Sequence, residues 1–181
     1  HDFNKPDLQL PVAEYWRAYD ERKAEAEKNA LLKLDVRKYP DGTKRVQLNN
    51  PALTAIPPLD WTDVSVFIFY GTQIRDISPL RGRNLRAITF FRTPVFDLEP
   101  LRGSPVVKLA FMDTAVTDVS PLLDCPNLEA VSLSRSVNNV EVLRKHPKLK
   151  HIGYTEGPGP DYLPETTAEE FWKIFDAKQQ Q

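Results

Sequence analysis

One phrase occurs three times in the middle of this chain, and its spacing restricts the possible folds more than any other feature. The copies read TQIRDISPLRG, TPVFDLEPLRG and TAVTDVSPLLD, and they begin at Thr72, Thr93 and Thr114, which lie 21 residues apart. The Asp, Pro and Leu inside each copy keep the same phase. A fixed period of about 20 residues indicates stacked structural repeats, in which each unit buries its apolar side against its neighbours.

A short run of alternating apolar residues precedes each copy and predicts a β-strand with one buried face. For the three middle repeats the predicted buried pairs are Phe67/Phe69, Ile88/Phe90 and Leu109/Phe111. Weaker copies of the phrase lie at residues 51–59 and 136–143, where the Asp and other positions are lost. We interpret these two stretches as worn end repeats of the same stack.

The S-P-L part of the phrase predicts a short helical turn on the convex side of the stack. Pro is favoured at the first helical position and Ser is a good N-cap, so Ser78 and Ser120 are the predicted caps. Asp76, Asp97 and Asp118 form a ladder in phase with these turns. Hydrogen bonds from backbone N–H groups of the following turn are the favoured role of the carboxylates, and a shared cation is the alternative.

The full pattern, L-x-x-L-x-L-x-x-T-x-V-x-D-L-x-P-L, resembles the leucine-rich repeat, with Thr where Asn is usual. The resemblance implies an α/β fold: a leucine-rich repeat solenoid with 21–22-residue repeats, parallel strands on its concave face and capping helices at both ends. It also implies a surface for binding rather than for chemistry.

The phrase D-[LIV]-[ST]-P-L-[RK]-G, followed by an F-W-[KR] helix, is similar to repeat regions of large multidomain bacterial proteins. Many of those regions follow a serine/threonine protein kinase domain. The resemblance therefore implies a sensor or scaffold module beside a signalling enzyme, with a kinase domain in the same chain as a candidate partner. The sequence itself contains no Gly-rich phosphate loop, V-A-I-K, H-R-D or D-F-G motif.

We expect three parts along the chain. Residues 1–43 form an N-terminal flank: a polar linker, a helix from Val12 to about Leu34 and a hairpin turning at Tyr39 to Gly42. Residues 44–155 form the solenoid of five to six repeats. Residues 156–181 form a GPGP loop and a capping helix from Ala168 to about Lys178, with Thr166 or Thr167 as N-cap.

The two predicted helices share a motif, AEYWRAYD near the start of the chain and EEFWKIFD near its end. We interpret this match as a second internal repeat, in which the N-terminal helix closes a preceding cassette of a longer protein. The alternative is that two unrelated amphipathic helices match by chance. The absence of an initial Met also favours a fragment of a longer protein.

Composition argues against several classes of partner. The chain has 24 basic and 25 acidic residues, well mixed, which disfavours nucleic acid and anionic membrane surfaces. No apolar run approaches the roughly 20 residues of a membrane span, so we expect no membrane insertion. Cys125 is the only cysteine, so nothing demands an oxidising compartment, and a cytoplasmic location is slightly favoured. We expect a monomer.

No residue pattern points to an enzyme, a metal site or a cofactor. His146 and His151 are five residues apart and match no metal-ligand spacing. Cys125 with a nearby His suggests a nucleophile pair, but a small buried residue is expected on structural grounds in the D-C-P-N turn.

The concave face is the candidate binding site for a protein or peptide. Residues that flank the buried pairs point outward there, and the predicted binding residues are Val66, Ile68, Tyr70, Phe91, Met112 and Lys108. A clustered apolar patch with a charged rim marks an interaction surface. The alternative is that the flanking helix, with Trp16, folds over the patch, and the chain is a structural spacer between domains.

Overall fold

A single sheet of seven strands runs through the molecule, with the strands in chain order. The structure, a computed structural model, describes residues 14, 17–23, 34–155 and 164–179. The strands are β1 (Leu34–Lys38), β2 (Lys44–Leu48), β3 (Val64–Tyr70), β4 (Ala87–Phe91), β5 (Lys108–Ala110), β6 (Ala130–Ser132) and β7 (His151–Gly153). β1 and β2 form an antiparallel hairpin, and every later pair is parallel.

The core lies on one face of this sheet, where rings from successive repeats stack. Phe69, Phe90 and Phe111 have no solvent exposure. Their ring centroids lie 5.2 Å apart for Phe69 and Phe90 and 6.0 Å apart for Phe90 and Phe111. The prediction that these three residues are stacked neighbours is confirmed. Partners in the sheet, such as Phe69 and Phe90, lie one repeat apart along the chain.

Short 3-10 helices return the chain on the far side of the core. They span Ser78–Leu80, Glu99–Leu101, Ser120–Asp124 and Val140–Lys145, and the first three carry Pro in the first turn. The prediction that Ser is the N-cap is wrong. Ile77, Leu98 and Val119 hold the cap position, and their apolar side chains have no atom that can make a capping bond. The Asp one residue earlier in the chain accepts the N–H of the first helical residue instead.

The Asp ladder caps these turns. Backbone N–H groups of Ser78, Glu99 and Ser120 donate to Oδ1 of the Asp two residues earlier, at 2.7, 2.8 and 2.8 Å. The backbone bond from Ser78 lowers the pKa of Asp76, and the bond from Ser120 likewise lowers the pKa of Asp118. The favoured turn-capping role of the ladder is confirmed.

At the N-terminal end the hairpin of β1 and β2 lies where it was predicted, with Lys38 opposite Lys44. Leu34 begins β1 rather than ending a helix, because its backbone pairs with Leu48. Residues 14 and 17–23 are helical and, except for the half-buried Ala18, exposed. The remainder of the predicted N-terminal helix, including Trp16, lies outside the described residues.

The C-terminal helix spans Ala168–Gln179 and packs on the last repeat. Thr167 is its N-cap: Glu170 N–H donates to Thr167 Oγ1 at 3.2 Å, while Thr167 N–H donates to a Glu170 carboxylate oxygen at 3.0 Å. Phe171 is buried in the core. The Arg144 guanidinium lies 4.4 Å from the Trp172 ring centroid and pairs with Asp176, which ties the helix to the solenoid.

Candidate protein-binding face

The sheet face opposite the core is the concave face of the predicted solenoid. Alternation along β3 puts Phe67 and Phe69 in the core cluster and leaves Val66, Ile68 and Tyr70 on the other face. A second apolar cluster lies there, separate from the core, and contains Phe91, Ala110 and Met112 with Tyr70 packed against them. The predicted site residues therefore lie on one common face.

Tyr70 and Phe91 form the best-defined contact of this face. They are paired neighbours on β3 and β4, with ring centroids 5.0 Å apart and ring planes within 6° of parallel. Asn49 Nδ2 donates a hydrogen bond of 3.3 Å to the Tyr70 hydroxyl. The two rings are thus held in a fixed orientation by the sheet below and by a polar contact at the edge.

The expectation that the apolar patch is open to water is wrong for three of its members. Ile68 is 2%, Met112 is 5% and Phe91 is 8% exposed, whereas Val66, Tyr70 and Lys108 are half-buried. The alternation of a strand tells which face a side chain is on, but not whether other atoms lie over that face. The sheet face on which these side chains lie was therefore predictable from the sequence, and their burial was not.

Charged residues border the cluster at the ends of the strands. Arg92 and Asp113 are 71% and 67% exposed, with 3.8 Å between Arg92 Nε and Asp113 Oδ2. Both have left-handed backbone, with φ of 51° and 52°, as does Gly71 one repeat earlier with φ of 60°. Glycine at the first of these phased positions is a sequence signal for the turn that was not used in the predictions above.

Two further basic residues lie on the face. Arg45 is paired with Val66 on the adjacent strand. Its Nη2 donates to Gln47 Oε1, and its buried Nε lacks an acceptor among the residues that the structure describes. Lys108 is half-buried and is engaged by a contact within the chain.

Large exposed apolar residues elsewhere belong to different parts of the described chain. They are Tyr19 in the helical residues 17–23, Val36 and Tyr39 in the hairpin, Phe96 after β4 and Ile174 in the C-terminal helix. Single exposed apolar residues are normal on protein surfaces and indicate no site.

The Cys125 and His146 pair is structural. The His146 ring contacts the Cys125 carbonyl oxygen at 2.9 Å from Nε2, while Lys148 N–H donates to Nδ1, so both ring nitrogens are engaged with backbone rather than with the thiol. Cys125 Sγ donates to the Leu101 carbonyl, and burial raises the pKa of the thiol to about 11. A buried, protonated thiol is a poor nucleophile.

The described residues contain no group of three or more His, Cys, Asp or Glu side chains that could hold a metal ion. No helix within the described ranges has the length and apolar character needed to cross a membrane. His151, the second histidine singled out in the sequence, is half-buried on β7, where its backbone pairs with Thr167.

Solved structures share this architecture. An internalin (inlF) from Listeria monocytogenes aligns with 19% sequence identity and a TM-score of 0.52, covering 62% of this chain and 34% of the internalin. The fold is a leucine-rich repeat solenoid. An internalin C2 from the same organism aligns with 31% identity and a TM-score of 0.47, covering 50% of this chain and 41% of that one.

The chain therefore spans less than half of the length of either internalin. No protein-family model and no curated protein sequence matches it. The likeness to the first internalin concerns the fold, since identity is below the range in which function transfers. The leucine-rich repeat resemblance of the sequence is confirmed at that level.

Proposed function

We propose that this chain is a non-catalytic protein-interaction module that binds a protein or peptide through its concave face. One observation carries the proposal: an apolar cluster that is separate from the core lies on the side of the sheet where a single-layer solenoid needs none. The residues proposed to contact the partner are Val66, Ile68, Tyr70, Phe91, Lys108 and Met112.

The stacked pair of Tyr70 and Phe91 suits an energetic anchor. Aromatic residues dominate binding energy when they lie at the centre of a contact and are bordered by polar groups that exclude water. Here the rings are held by the sheet, so little conformational freedom is lost when a partner docks. Arg92 and Asp113 lie at the border and supply charge complementarity.

We further propose that the module belongs to a larger bacterial protein, as a sensor or scaffold region. The support is the D-[LIV]-S-P-L phrase and the helix motif that occurs twice, at residues 13–20 and 169–176. A kinase domain in the same chain is the proposed neighbour, from the resemblance alone. The module acts as a monomer, because the concave face of one copy is the whole proposed site.

A structural spacer is the second candidate function. The burial of Phe91 and Met112 favours it, because a face that is already covered within the chain has no need of a partner. In that case the solenoid holds neighbouring domains apart, and the apolar cluster only stabilises the module. The two candidate functions predict different effects of truncating Tyr70 and Phe91: weaker binding of a partner for the first, and loss of stability for the second.

The test begins with a photo-crosslinking amino acid at position 70, so that only a protein in contact with the concave face is captured from the source cells. The captured protein is then purified and titrated against the unlabelled module. We expect Tyr70→Ala combined with Phe91→Ala to weaken binding at least roughly tenfold. Phe96→Ala, at a residue 60% exposed and outside the cluster, is the matched control and should bind normally.

Circular dichroism decides whether the double variant is folded. Normal affinity in the folded double variant would show that the partner uses another surface. A double variant that unfolds, together with no captured protein at position 70, would support the spacer function instead.

A further inference from the structure

The two outer edges of the sheet differ. Along β7 the chain closes its own edge, because His151 pairs with Thr167 and Ala168 N–H donates to the Lys150 carbonyl at 2.7 Å. At the other end of the sheet β1 pairs with β2, and no element that the structure describes pairs with its outer edge. Unpaired N–H and C=O groups along such an edge are a template for a further strand.

Alternation along β1 shows which residues turn their backbone groups to the outer edge. Tyr39 N–H, directly after the strand, donates to the Thr43 carbonyl at 2.8 Å, so the backbone groups of Tyr39 point along the hairpin pairing. Successive residues of a strand point alternately to its two sides. The backbone groups of Leu34, Val36 and Lys38 therefore point away from β2, toward the outer edge.

The side chains at this edge are accessible. Val36 is 42% exposed, and the side chains of Asp35 and Arg37 on either side of it are 44% and 67% exposed. Arg37 Nε lies 3.1 Å from Asp35 Oδ2. The exposure of Val36 alone indicates no site, but it shows that a second strand can approach an apolar residue that stands between two opposite charges.

We propose that the strand that fits this edge is β1 of a second copy of the chain, in the antiparallel direction. In the register that places the two Val36 residues opposite each other, Asp35 of each copy lies opposite Arg37 of the other. Facing residues of opposite charge favour a strand pair. Leu34 lies opposite Lys38 in this register, so the outward backbone groups of one copy meet the outward backbone groups of the other.

The charges of β1 disfavour the neighbouring antiparallel registers. A shift by two residues in one direction places Asp35 opposite Asp35, and in the other direction it places Arg37 opposite Arg37. Like charges that face each other destabilise a strand pair. A shift by one residue sets outward backbone groups of one copy against inward groups of the other, so the hydrogen bonds are lost. Charged residues commonly protect edge strands from pairing, whereas here they favour one register with a second copy.

The pairing is separate from the proposed binding function, in which one module is the whole binding unit. A two-fold axis through the Val36 pair is perpendicular to the sheet, so the concave faces of the two copies lie on the same side of one continuous sheet. If the concave face binds as proposed, the pair gains avidity for a partner that carries two copies of the recognised segment. The contact between two strands of five residues is smaller than a standard interface of roughly 1,600 Å², so the pair is weak and forms at high protein concentration.

Disulfide crosslinking of the full chain tests the register. Facing residues of a hydrogen-bonded antiparallel pair have Cα atoms about 5.5 Å apart, which suits a disulfide, so Val36→Cys should give a covalent dimer under mild oxidation. Lys38→Cys is the matched control, because the two Lys38 positions lie about 13 Å apart along the strands. It should link at least roughly tenfold more slowly, since its Cα atoms are beyond disulfide range. The native Cys125 is buried and adds little background.

Charge variants test the pairing without a covalent bond. Sedimentation velocity over a series of concentrations measures the monomer–dimer Kd of the unaltered chain. Asp35→Lys and Arg37→Glu, each alone, should weaken the dimer at least roughly tenfold, because each places like charges opposite each other twice. An equimolar mixture of the two variants should form a heterodimer again, since every facing pair then carries opposite charges. A variant that had merely lost its fold would not be rescued by the mixture.

Two results would overturn the proposal. One is an unaltered chain that stays monomeric at the highest concentration that remains in solution. The other is equal crosslinking rates for Val36→Cys and Lys38→Cys, which would show that no fixed register exists. Either result leaves the crosslinking test at position 70 unaffected, because that test captures a different protein on the other part of the sheet.

Discussion

Phe90 lies at the middle of a column of rings, between Phe69 on one side and Phe111 on the other. All three are fully buried, so no water can enter to replace a lost ring. Phe90→Ala should lower the free energy of unfolding by about 3–5 kcal/mol, measured by urea denaturation, because it removes buried area and leaves a cavity.

Phe96→Ala is the matched control for Phe90→Ala, since it makes the same chemical change at a side chain that is 60% exposed. It should change the free energy of unfolding by no more than about 0.5 kcal/mol. Equal losses at the two positions would contradict the assignment of Phe90 to a closely packed core.

Asp76 and Asp118 make the free energy of unfolding depend on pH in the acidic range. The backbone N–H bonds of Ser78 and Ser120 hold the pKa of each carboxyl below its ordinary value. A carboxylate with a lowered folded-state pKa stabilises the fold above its unfolded pKa of about 4, and that contribution is lost as the pH falls through the lower folded-state value.

The double variant Asp76→Asn with Asp118→Asn should therefore be less stable than the unaltered chain at pH 7. Its free energy of unfolding should also fall less between pH 5 and pH 2, because it lacks two groups whose protonation destabilises the fold. Denaturation curves at several pH values measure both effects. Parallel pH profiles for the two chains would show that these turn bonds contribute nothing.

At the scale of elements, the C-terminal helix begins with a reciprocal capping bond between Thr167 and Glu170. Thr167→Ala should cost about 1 kcal/mol of stability, because it leaves the Glu170 N–H without its acceptor. Thr166→Ala is the matched control, since Thr166 contributes its carbonyl rather than its side chain, accepting from Ile152 N–H. Thermal melts of both variants measure the difference, and an equal shift would contradict Thr167 as the N-cap.

The elements also show where sequence patterns are informative. The hairpin and the S-P-L turns were predictable, because Tyr39 to Gly42 and the phased prolines restrict the backbone locally. The residue at the cap position was not: the sequence suggests Ser78, whereas Ile77 holds that position and Asp76, as expected for the ladder, accepts the Ser78 N–H. Ser and Asp both hydrogen-bond readily to backbone N–H groups at the start of a helical turn, so residue preferences alone do not fix which residue holds the cap position.

At the scale of the whole molecule, the 21-residue phase was enough to predict a parallel sheet in chain order from β2 to β7. Each repeat can bury its apolar side chains only against the same positions of the repeats before and after it, so the strands lie side by side in chain order. The state of the concave face was not predictable, since Ile68 and Phe91 have the same alternation whether the face is open or covered. The burial of these side chains depends on what packs over them, for which a repeat pattern carries no signal.

The continuous core also makes the ends of the stack important. The core cluster extends from Val46 on β2 to Ile152 on β7 and includes Phe171 of the C-terminal helix. Tyr154 and Phe171 have ring centroids 5.6 Å apart, so the helix closes the last repeat with aromatic contacts. Repeats that contact only their neighbours transmit a defect from the end inward.

Deletion of residues 165–181 should therefore lower the melting temperature clearly and act most strongly on the nearest strand. Amide exchange should accelerate at Ile152 and Gly153 on β7 more than at Phe90 on β4, because opening free energies fall where buried contacts are lost. Ile174→Ala, at a helix residue 54% exposed, is the control and should leave both measurements almost unchanged. An unchanged unfolding curve after the deletion would show that the helix is a loose tail, despite the burial of Phe171.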